Sequence, residues 1–153
     1  MLKQKFKKVI KLIYTKLRDK NIKWAIIGTT NLALQGIKVK PKDLDIITDV
    51  KSLRMIKNLF KDFVSEQIKK GPSSKEKLSK FYELKLKIKG IDCHIIGEKN
   101  SEIYLNKIKN IVLIKLENIK VPCLSLESGI KAYSKMGQNH KVKLIKEFLK
   151  NRN

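Results

Sequence analysis

Two aspartates, Asp43 and Asp45, stand two residues apart in a segment rich in branched apolar residues. In a β-strand, residues at this spacing leave the same face, with α-carbons roughly 6.5 Å apart. Carboxylates held so close repel one another unless a cation binds, and such oxygen ligands suit magnesium or manganese. A third acid, Asp92, lies between Ile91 and Cys93 in a later strand-like segment. If the two strands are neighbours, the three carboxylates converge on a divalent metal site.

The chemistry typical of such a site is phosphoryl transfer, because two divalent ions can clamp the attacking and leaving oxygens. An isolated aspartate pair is also compatible with solvated surface charges that face lysines. The preceding turn favours the metal site. Gly28, Thr29 and Thr30 follow a strand-length apolar run and lead into a short helix, where backbone amides and hydroxyls suit a phosphate. The alternative for this turn is an ordinary strand-to-helix connection with a threonine cap.

Together these segments resemble the polymerase-β-like nucleotidyltransferase superfamily, in particular its minimal and toxin-type members. The resemblance covers most of residues 24–136. It rests on residues 26–36, 42–47 and 90–95, and on residues 121–127, which run into a helix with Lys131.

The resemblance implies a role for each matching residue. Asp43 and Asp45 would bind both metal ions, and Asp92 would complete the site and help to activate the acceptor hydroxyl. The implied nucleotide-binding residues are Gly28, Thr29, Thr30 and Lys131. Two positions depart from the family pattern. Thr29 replaces a serine or glycine, and the C-terminal basic element is reduced to Asn139, His140 and Lys141.

Several single residues have two interpretations. His94 follows Asp92 by two, so it shares the acidic face, where it either takes part in proton transfer or fills space as a polar neighbour. Trp24 begins a core strand and is expected to pack rather than to stack on a base. Cys93 and Cys123 form no metal-binding or disulfide pattern, which predicts buried structural thiols.

The elements that must position these residues follow from hydrophobic periodicity and turn residues. Helices are predicted over residues 1–20, 31–35, 126–136 and 141–149, and another is capped by Ser52 and carries apolar residues as far as Phe63. Strands are predicted over residues 24–27, 43–48, 81–88, 91–96, 108–116 and 119–122, and a loop over residues 71–74.

These elements predict a mixed α/β (α+β) nucleotidyltransferase fold, with a mixed β-sheet flanked by helices and short C-terminal helices. One domain over residues 1–153 is expected. Its parts are an N-terminal helix (1–20), a core of sheet and helices (23–122) and a C-terminal helical segment (125–153).

The charge composition is strongly basic, with a formal net charge of +22 and an isoelectric point near 10.0. Such a surface attracts polyanions. The arginines among the 36 basic residues are Arg18, Arg54 and Arg152, and the lysines are spread along the chain rather than clustered. A biased genome or a hot habitat explains the lysine content equally well, so charge alone leaves nucleic acid binding open.

The chain has no apolar run of the roughly 18 to 20 residues that a membrane span needs, and no secretory signal pattern. We therefore expect a cytoplasmic, soluble protein. No P-loop, dinucleotide-binding glycine motif, zinc-protease helix or nucleophile elbow is present.

The predicted function is a magnesium- or manganese-dependent transfer of a nucleoside monophosphate from a nucleoside triphosphate to a hydroxyl, with release of pyrophosphate. The acceptor is RNA (including tRNA), a small molecule or a protein, and charge favours RNA. One alternative is an inactive member of the fold that binds nucleotide, RNA or a partner protein. Another is a basic nucleic-acid-binding domain with structural aspartates. The oligomeric state is left open.

Overall fold

The computed structural model describes residues 2–70, 81–98 and 111–152, and within them seven strands form one mixed sheet flanked by helices. The strands are β1 (Trp24–Ile27), β2 (Leu44–Asp49), β3 (Val64–Lys70), β4 (Phe81–Ile88), β5 (Ile91–Glu98), β6 (Ile111–Leu116) and β7 (Ile119–Leu124). The helices are α1 (Gln4–Leu17), α2 (Gly28–Leu34), α3 (Val50–Leu59), α4 (Leu126–Lys135) and α5 (Asn139–Asn151). The predicted fold class is confirmed.

The sheet order is β3-β4-β5-β2-β1-β7-β6. The pairs β1–β7 and β2–β5 are parallel, and the other neighbouring pairs are antiparallel. β1, β2 and β5, which carry the predicted chemistry, therefore lie side by side in the middle of the sheet.

The main apolar core covers one face of this sheet. Its sheet residues include Ile26, Leu44, Ile46, Cys93 and Ile95, each at most 1% exposed. The amphipathic helix α1 closes this core with apolar residues at helical spacing, namely Phe6, Val9, Ile10, Ile13 and Leu17. The predicted N-terminal helix is confirmed, and its exposed lysines face away from this core.

Smaller clusters stabilise the rest of the fold. On the opposite face of the sheet, Ala25, Ile27, Ile47 and Leu124 form a small buried group. At the C-terminal end, α4 and α5 pack on α2 and on Ile37 through the buried residues Leu32, Leu126, Tyr133 and Ile145.

The predicted β4–β5 hairpin is confirmed. Lys89 and Gly90 both adopt positive φ angles, 52° and 80°, as a two-residue turn with both central residues in this region requires. Trp24 packs in the core as predicted, at 6% exposure. Cys93 and Cys123 are buried free thiols, and burial raises the pKa of each to about 12.

Some predicted boundaries are wrong. Helix α2 begins at Gly28 rather than Asn31, because glycine tolerates φ +73° at the first helical position. Asp43 lies just before β2 rather than within it.

The predicted helix that carries Phe63 instead ends at Leu59, and a single 3-10 turn, Lys61–Phe63, follows. The N-terminal cap of α3 is Asp49, whose side chain accepts a hydrogen bond from the Ser52 backbone N–H at 2.7 Å. Ser52 itself therefore lies inside the helix rather than at its cap.

Strand β3 was not predicted from the sequence. It lies at the edge of the sheet, and only Val64 and Ile68 interrupt its otherwise exposed side chains. Such a strand lacks the alternation that identifies a half-buried strand. The predicted loop at residues 71–74 and the start of the predicted strand at 108–110 lie outside the described residues. No helix in the described part of the chain is long and apolar enough to cross a membrane.

Candidate active site

Gly28 lies where β1 ends, directly beside the start of β2, because Ile27 pairs with Asp45 across the antiparallel strands. Its φ is +73°, and a Cβ added there would stand 2.7 Å from the Asp45 Oδ2 atom. Any side chain would therefore displace the aspartate as well as strain the turn. The glycine and the aspartate motif form one structural unit.

Helix α2 is fixed to this unit by buried polar side chains. The Thr30 hydroxyl donates a hydrogen bond to the Asp43 backbone carbonyl at 2.7 Å. The Asn31 side-chain amide donates to the Leu124 carbonyl at the end of β7, at 2.9 Å. Both polar residues are at most 3% exposed. The end of β7 and the chain entering β2 are thereby fixed on either side of the Gly28 turn.

Asp43, Asp45 and His94 form a compact group whose potential ligand atoms all lie within 4.8 Å of one another. His94 belongs to it because Asp45 and His94 are register partners on the parallel strands β2 and β5. The His94 Nδ1 atom lies 3.5 Å from the Asp45 Oδ1 atom. Two carboxylates and an imidazole at this spacing can hold a divalent cation.

Glu83 on β4 is a further acidic residue that sequence reasoning missed. Its Oε1 atom lies 3.6 Å from the His94 Nδ1 atom, and the residue is 8% exposed. The signal was present in the hairpin register. His94 pairs with Lys85, so Glu83 is its diagonal neighbour on the same face. The same imidazole nitrogen therefore faces two carboxylates.

Burial raises the pKa of Asp45 to about 6, and the negative charges of Asp43 and Glu83 add to this effect. The charges of His94 and Lys141 lower the Asp45 pKa and oppose it only in part. An acid with a raised pKa beside a second acid is typical of a functional site. A bound cation would favour the ionised carboxylate.

Asp92 is on β5, the neighbour of β2, so the strand adjacency on which its prediction depended is confirmed. The side chain is 61% exposed, and its Oδ1 atom lies 3.9 Å from the Lys87 Nζ atom. Among the described residues it is not part of the group within 4.8 Å, where His94 stands instead. The catalytic role of Asp92 stays a prediction.

Of the predicted nucleotide-binding residues, Gly28 and Thr30 are buried and Thr29 is partly exposed. Lys131 is exposed on α4 and lines a cavity of about 380 Å³, whose other walls include Ile111, Ser125 and Ser128. The lysine whose charge acts on Asp45 is instead Lys141 of α5.

The chain is similar to known nucleotidyltransferases both in sequence family and in fold. A family model for aminoglycoside-2''-adenylyltransferase matches residues 9–149. A protein of Thermotoga maritima, provisionally described as a nucleotidyltransferase, is similar in structure with a TM-score of 0.79 and 27% identity, over 99% of this chain and 96% of that one. No curated protein sequence matches the chain.

Two further solved structures share the fold at lower identity. The lincosamide adenylyltransferase LnuA, solved with lincomycin bound, has a TM-score of 0.59 and 14% identity, over 95% of this chain and 97% of that one. The antibiotic-resistance factor ANT(2'')-Ia has a TM-score of 0.58 and 12% identity, over 99% and 94% of the two chains. The resemblance to nucleotidyltransferases is confirmed, whereas the minimal and toxin-type subgroup stays a prediction. Because the family match spans most of its length, the chain belongs to the aminoglycoside-2''-adenylyltransferase family of nucleotidyltransferases.

Proposed function

We propose that this protein transfers a nucleoside monophosphate from a nucleoside triphosphate to an acceptor hydroxyl, with divalent metal ions bound by Asp43 and Asp45. The observation that carries the proposal is the group of Asp43, Asp45 and His94 within 4.8 Å, built against the Gly28 turn. Membership of an adenylyltransferase family supports the reaction class.

The donor set fits magnesium or manganese. Asp43 and Asp45 supply carboxylate oxygens, which these hard cations prefer, and His94 adds a nitrogen that manganese accepts readily. The raised Asp45 pKa shows that burial, together with the neighbouring carboxylates, disfavours the ionised carboxylate in the absence of a cation. When bound, a divalent ion supplies charge neutralisation of the phosphates and of the oxygens that gain charge during transfer.

In the proposed reaction, the acceptor oxygen attacks the α-phosphorus in line with the bond to the β-phosphate. The new oxygen–phosphorus bond forms as the bridging oxygen–phosphorus bond breaks, and pyrophosphate leaves with the bonding electrons. The acceptor hydroxyl loses its proton to a base on the enzyme. Most of the catalytic effect comes from positioning and charge stabilisation.

Asp92 and His94 leave the same face of β5 and are the two candidates for this base. Asp92 is the residue that the family pattern favours, and its exposed carboxylate is accessible to an acceptor. His94 lies closer to Asp45, but its Nδ1 atom already faces two carboxylates. Asp92→Asn and His94→Gln separate the two roles, because the variant that lacks the base should lose kcat with little change in KM for the nucleotide.

For the nucleotide, we propose that the Gly28 turn and the partly exposed Thr29 contact the phosphates. The Thr30 hydroxyl already donates to the Asp43 carbonyl, so its contribution to binding is to hold Asp43 in place. Lys131 is proposed as a point charge for the triphosphate. Its exposed position on α4 leaves it accessible to a bound ligand.

The acceptor class that charge favours is RNA. A chain with a formal net charge of +22 attracts a polyanion and repels a polycationic acceptor such as an aminoglycoside. Binding of RNA to this surface would weaken steeply as salt rises, since phosphate contacts release counterions. An RNA affinity that does not change between low and high salt would rule out this acceptor.

The test is transfer of labelled nucleotide in the presence of magnesium or manganese. Each nucleoside triphosphate is incubated separately with the wild-type protein and with total RNA, an aminoglycoside or a lincosamide as acceptor. The double variant that should be inactive carries Asp43→Ala and Asp45→Ala. The matched control is Lys143→Met, which replaces an exposed residue on α5. We expect metal-dependent labelling by wild type and control but not by the double variant.

Equal labelling by wild type and double variant would overturn the enzymatic proposal. Metal-dependent nucleotide binding without transfer to any acceptor would favour the alternative of a non-catalytic member of the fold. Calorimetry with each metal–nucleotide complex measures that binding directly.

A further inference from the structure

Tyr133 of α4 is 4% exposed, and its hydroxyl pairs with the Gly28 backbone at the candidate active site. Burial, together with the Asp45 charge, raises the pKa of this hydroxyl, and a hydrogen bond from the Gly28 backbone N–H opposes the rise only in part. A phenol buried in an apolar cluster is costly unless its oxygen finds a polar partner. Here the partner belongs to the turn that also contacts Asp45.

Lys141 of α5 lies over the same ring. Its ammonium lies 5.0 Å from the centroid of the Tyr133 ring, a distance typical of a cation–π contact. The same charge acts on Asp45 and lowers the pKa of that carboxyl. Tyr133 thus contacts the Gly28 turn through its hydroxyl and Lys141 through its ring.

The remaining contacts explain why this arrangement is rigid. Tyr133 packs in the cluster formed by Leu32, Leu126 and Ile145, which joins α2, α4 and α5. Helix α2 is itself tied to the end of β7 through Asn31. The C-terminal helix pair is therefore fixed relative to the Gly28 turn, and the position of Lys141 depends on the ring beneath it.

We propose that Tyr133 is a positioning residue for nucleotidyl transfer, with its hydroxyl holding the Gly28 amide and its ring supporting Lys141 beside Asp45. This inference rests on the proposed function. It gives Lys141 the role of a cation at the active site, although the C-terminal basic element of the sequence is reduced to Asn139, His140 and Lys141. The ammonium then serves as a point charge for the nucleotide phosphates.

Lys131 does not have this arrangement. It lies two residues before Tyr133 on α4, about 200° away around the helix axis at 100° per residue. It lines the cavity near Ser125 and Ser128 instead. Replacing Lys131 therefore tests a different surface from replacing Lys141.

The experiment measures KM for the nucleoside triphosphate, kcat and melting temperature in a double-mutant cycle. The variants are Tyr133→Phe, Tyr133→Leu, Lys141→Met and Tyr133→Leu with Lys141→Met. The matched controls are Tyr14→Phe on α1 and the exposed Lys143→Met on α5.

Tyr133→Phe keeps the ring and removes the hydroxyl, so we expect KM to rise roughly two- to tenfold with little change in kcat or melting temperature. Lys141→Met is expected to raise KM by about tenfold. Because the ring acts through Lys141, the double variant should have a KM close to that of Lys141→Met alone. Both controls should match wild type.

The outcomes are distinguishable. If wild type transfers nucleotide and Tyr133→Phe has the same KM, the hydroxyl has no positioning role and the inference fails while the proposed function stands. If the effects of Tyr133→Leu and Lys141→Met multiply in the double variant, the ring does not act through Lys141. If wild type neither transfers nor binds a metal–nucleotide complex by calorimetry, the proposed function fails and takes this inference with it.

Discussion

The two faces of strand β2 differ sharply although their residues alternate in sequence. Leu44 and Ile46 point into the main core and are at most 1% exposed. Asp45, between them, points to the opposite face and keeps a side chain that is 27% exposed beside His94. The pleat of one strand therefore separates residues that stabilise the fold from residues that suit chemistry.

The contrast is energetic as well as spatial. Burying an isoleucine side chain stabilises the folded state by about 1.5 to 3 kcal/mol. Raising the pKa of Asp45 from 3.8 to about 6 means that its ionised form destabilises the metal-free protein near neutral pH. Neighbours in sequence thus contribute to stability with opposite signs.

Asp45→Asn should have the largest effect on activity. The variant keeps the shape of the side chain but loses the charge that holds a divalent ion, so we expect kcat/KM for nucleotide transfer to fall about 10³-fold. The measurement is metal-dependent labelling under the conditions that work for wild type. Asp49→Asn, on the same strand but at the cap of α3, is the matched control and should keep its activity.

Ile46→Ala should have the largest effect on stability. Removing this buried side chain leaves a cavity in the main core, and we expect the free energy of unfolding to fall by about 3 kcal/mol. Urea denaturation measures the change. The exposed Leu113, at 62%, provides the control, because Leu113→Ala should change stability by less than about 0.5 kcal/mol. Similar losses of unfolding free energy in both variants would contradict the assignment of Ile46 to the core and of Leu113 to the surface.

The stability contribution of Asp45 should depend on pH in the absence of metal. Its folded-state pKa is raised, so the stabilising effect is present below about pH 4 and is lost as pH rises through about 6. Relative to Asp45→Asn, wild type should therefore lose about 2 to 3 kcal/mol of unfolding free energy as the pH rises from 4 to 7. Urea titrations with a chelator measure this difference, and magnesium should reduce it. If the stability difference between wild type and Asp45→Asn did not change with pH, the raised pKa of Asp45 would be contradicted.

Asp49→Ala should have the smallest effect. It removes the acceptor for the Ser52 backbone N–H at the start of α3, and we expect a loss of about 1 kcal/mol in unfolding free energy without loss of transfer activity. Asp49→Asn keeps a capping oxygen and should change stability by only a few tenths of a kcal/mol. A drop in activity with either variant would mean that the cap at the end of β2 also affects the active-site residues at its start.

Local sequence signals predicted the parts of the fold that local physics determines. The alternation around Asp45 predicted β2, apart from its first residue, and the Lys89–Gly90 turn predicted the β4–β5 hairpin, because side-chain period and positive φ act within a few residues. The edge strand β3 escaped prediction because an exposed edge carries little apolar alternation. Asp49 was missed as a cap because it also ends a strand.

The candidate site shows the same division. Gly28, Asp43 and Asp45 are recognisable from their spacing in the sequence. They lie close together because the end of β1 pairs with the start of β2. Tyr133 and Lys141 meet them only through the packing of α4 and α5, which depends on which faces of two separate helices touch. A single sequence contains no direct signal of that contact.

The parallel pairing of β1 with β7 has a consequence for how the protein is made. Ile26 leaves the ribosome almost a hundred residues before its partner Cys123. Closing so long a loop is slow compared with forming a hairpin. During synthesis, one side of β1 and the Gly28 turn therefore stays unpaired until β7 has emerged. The site is completed late, and truncated chains that end before β7 should expose a strand edge that favours aggregation.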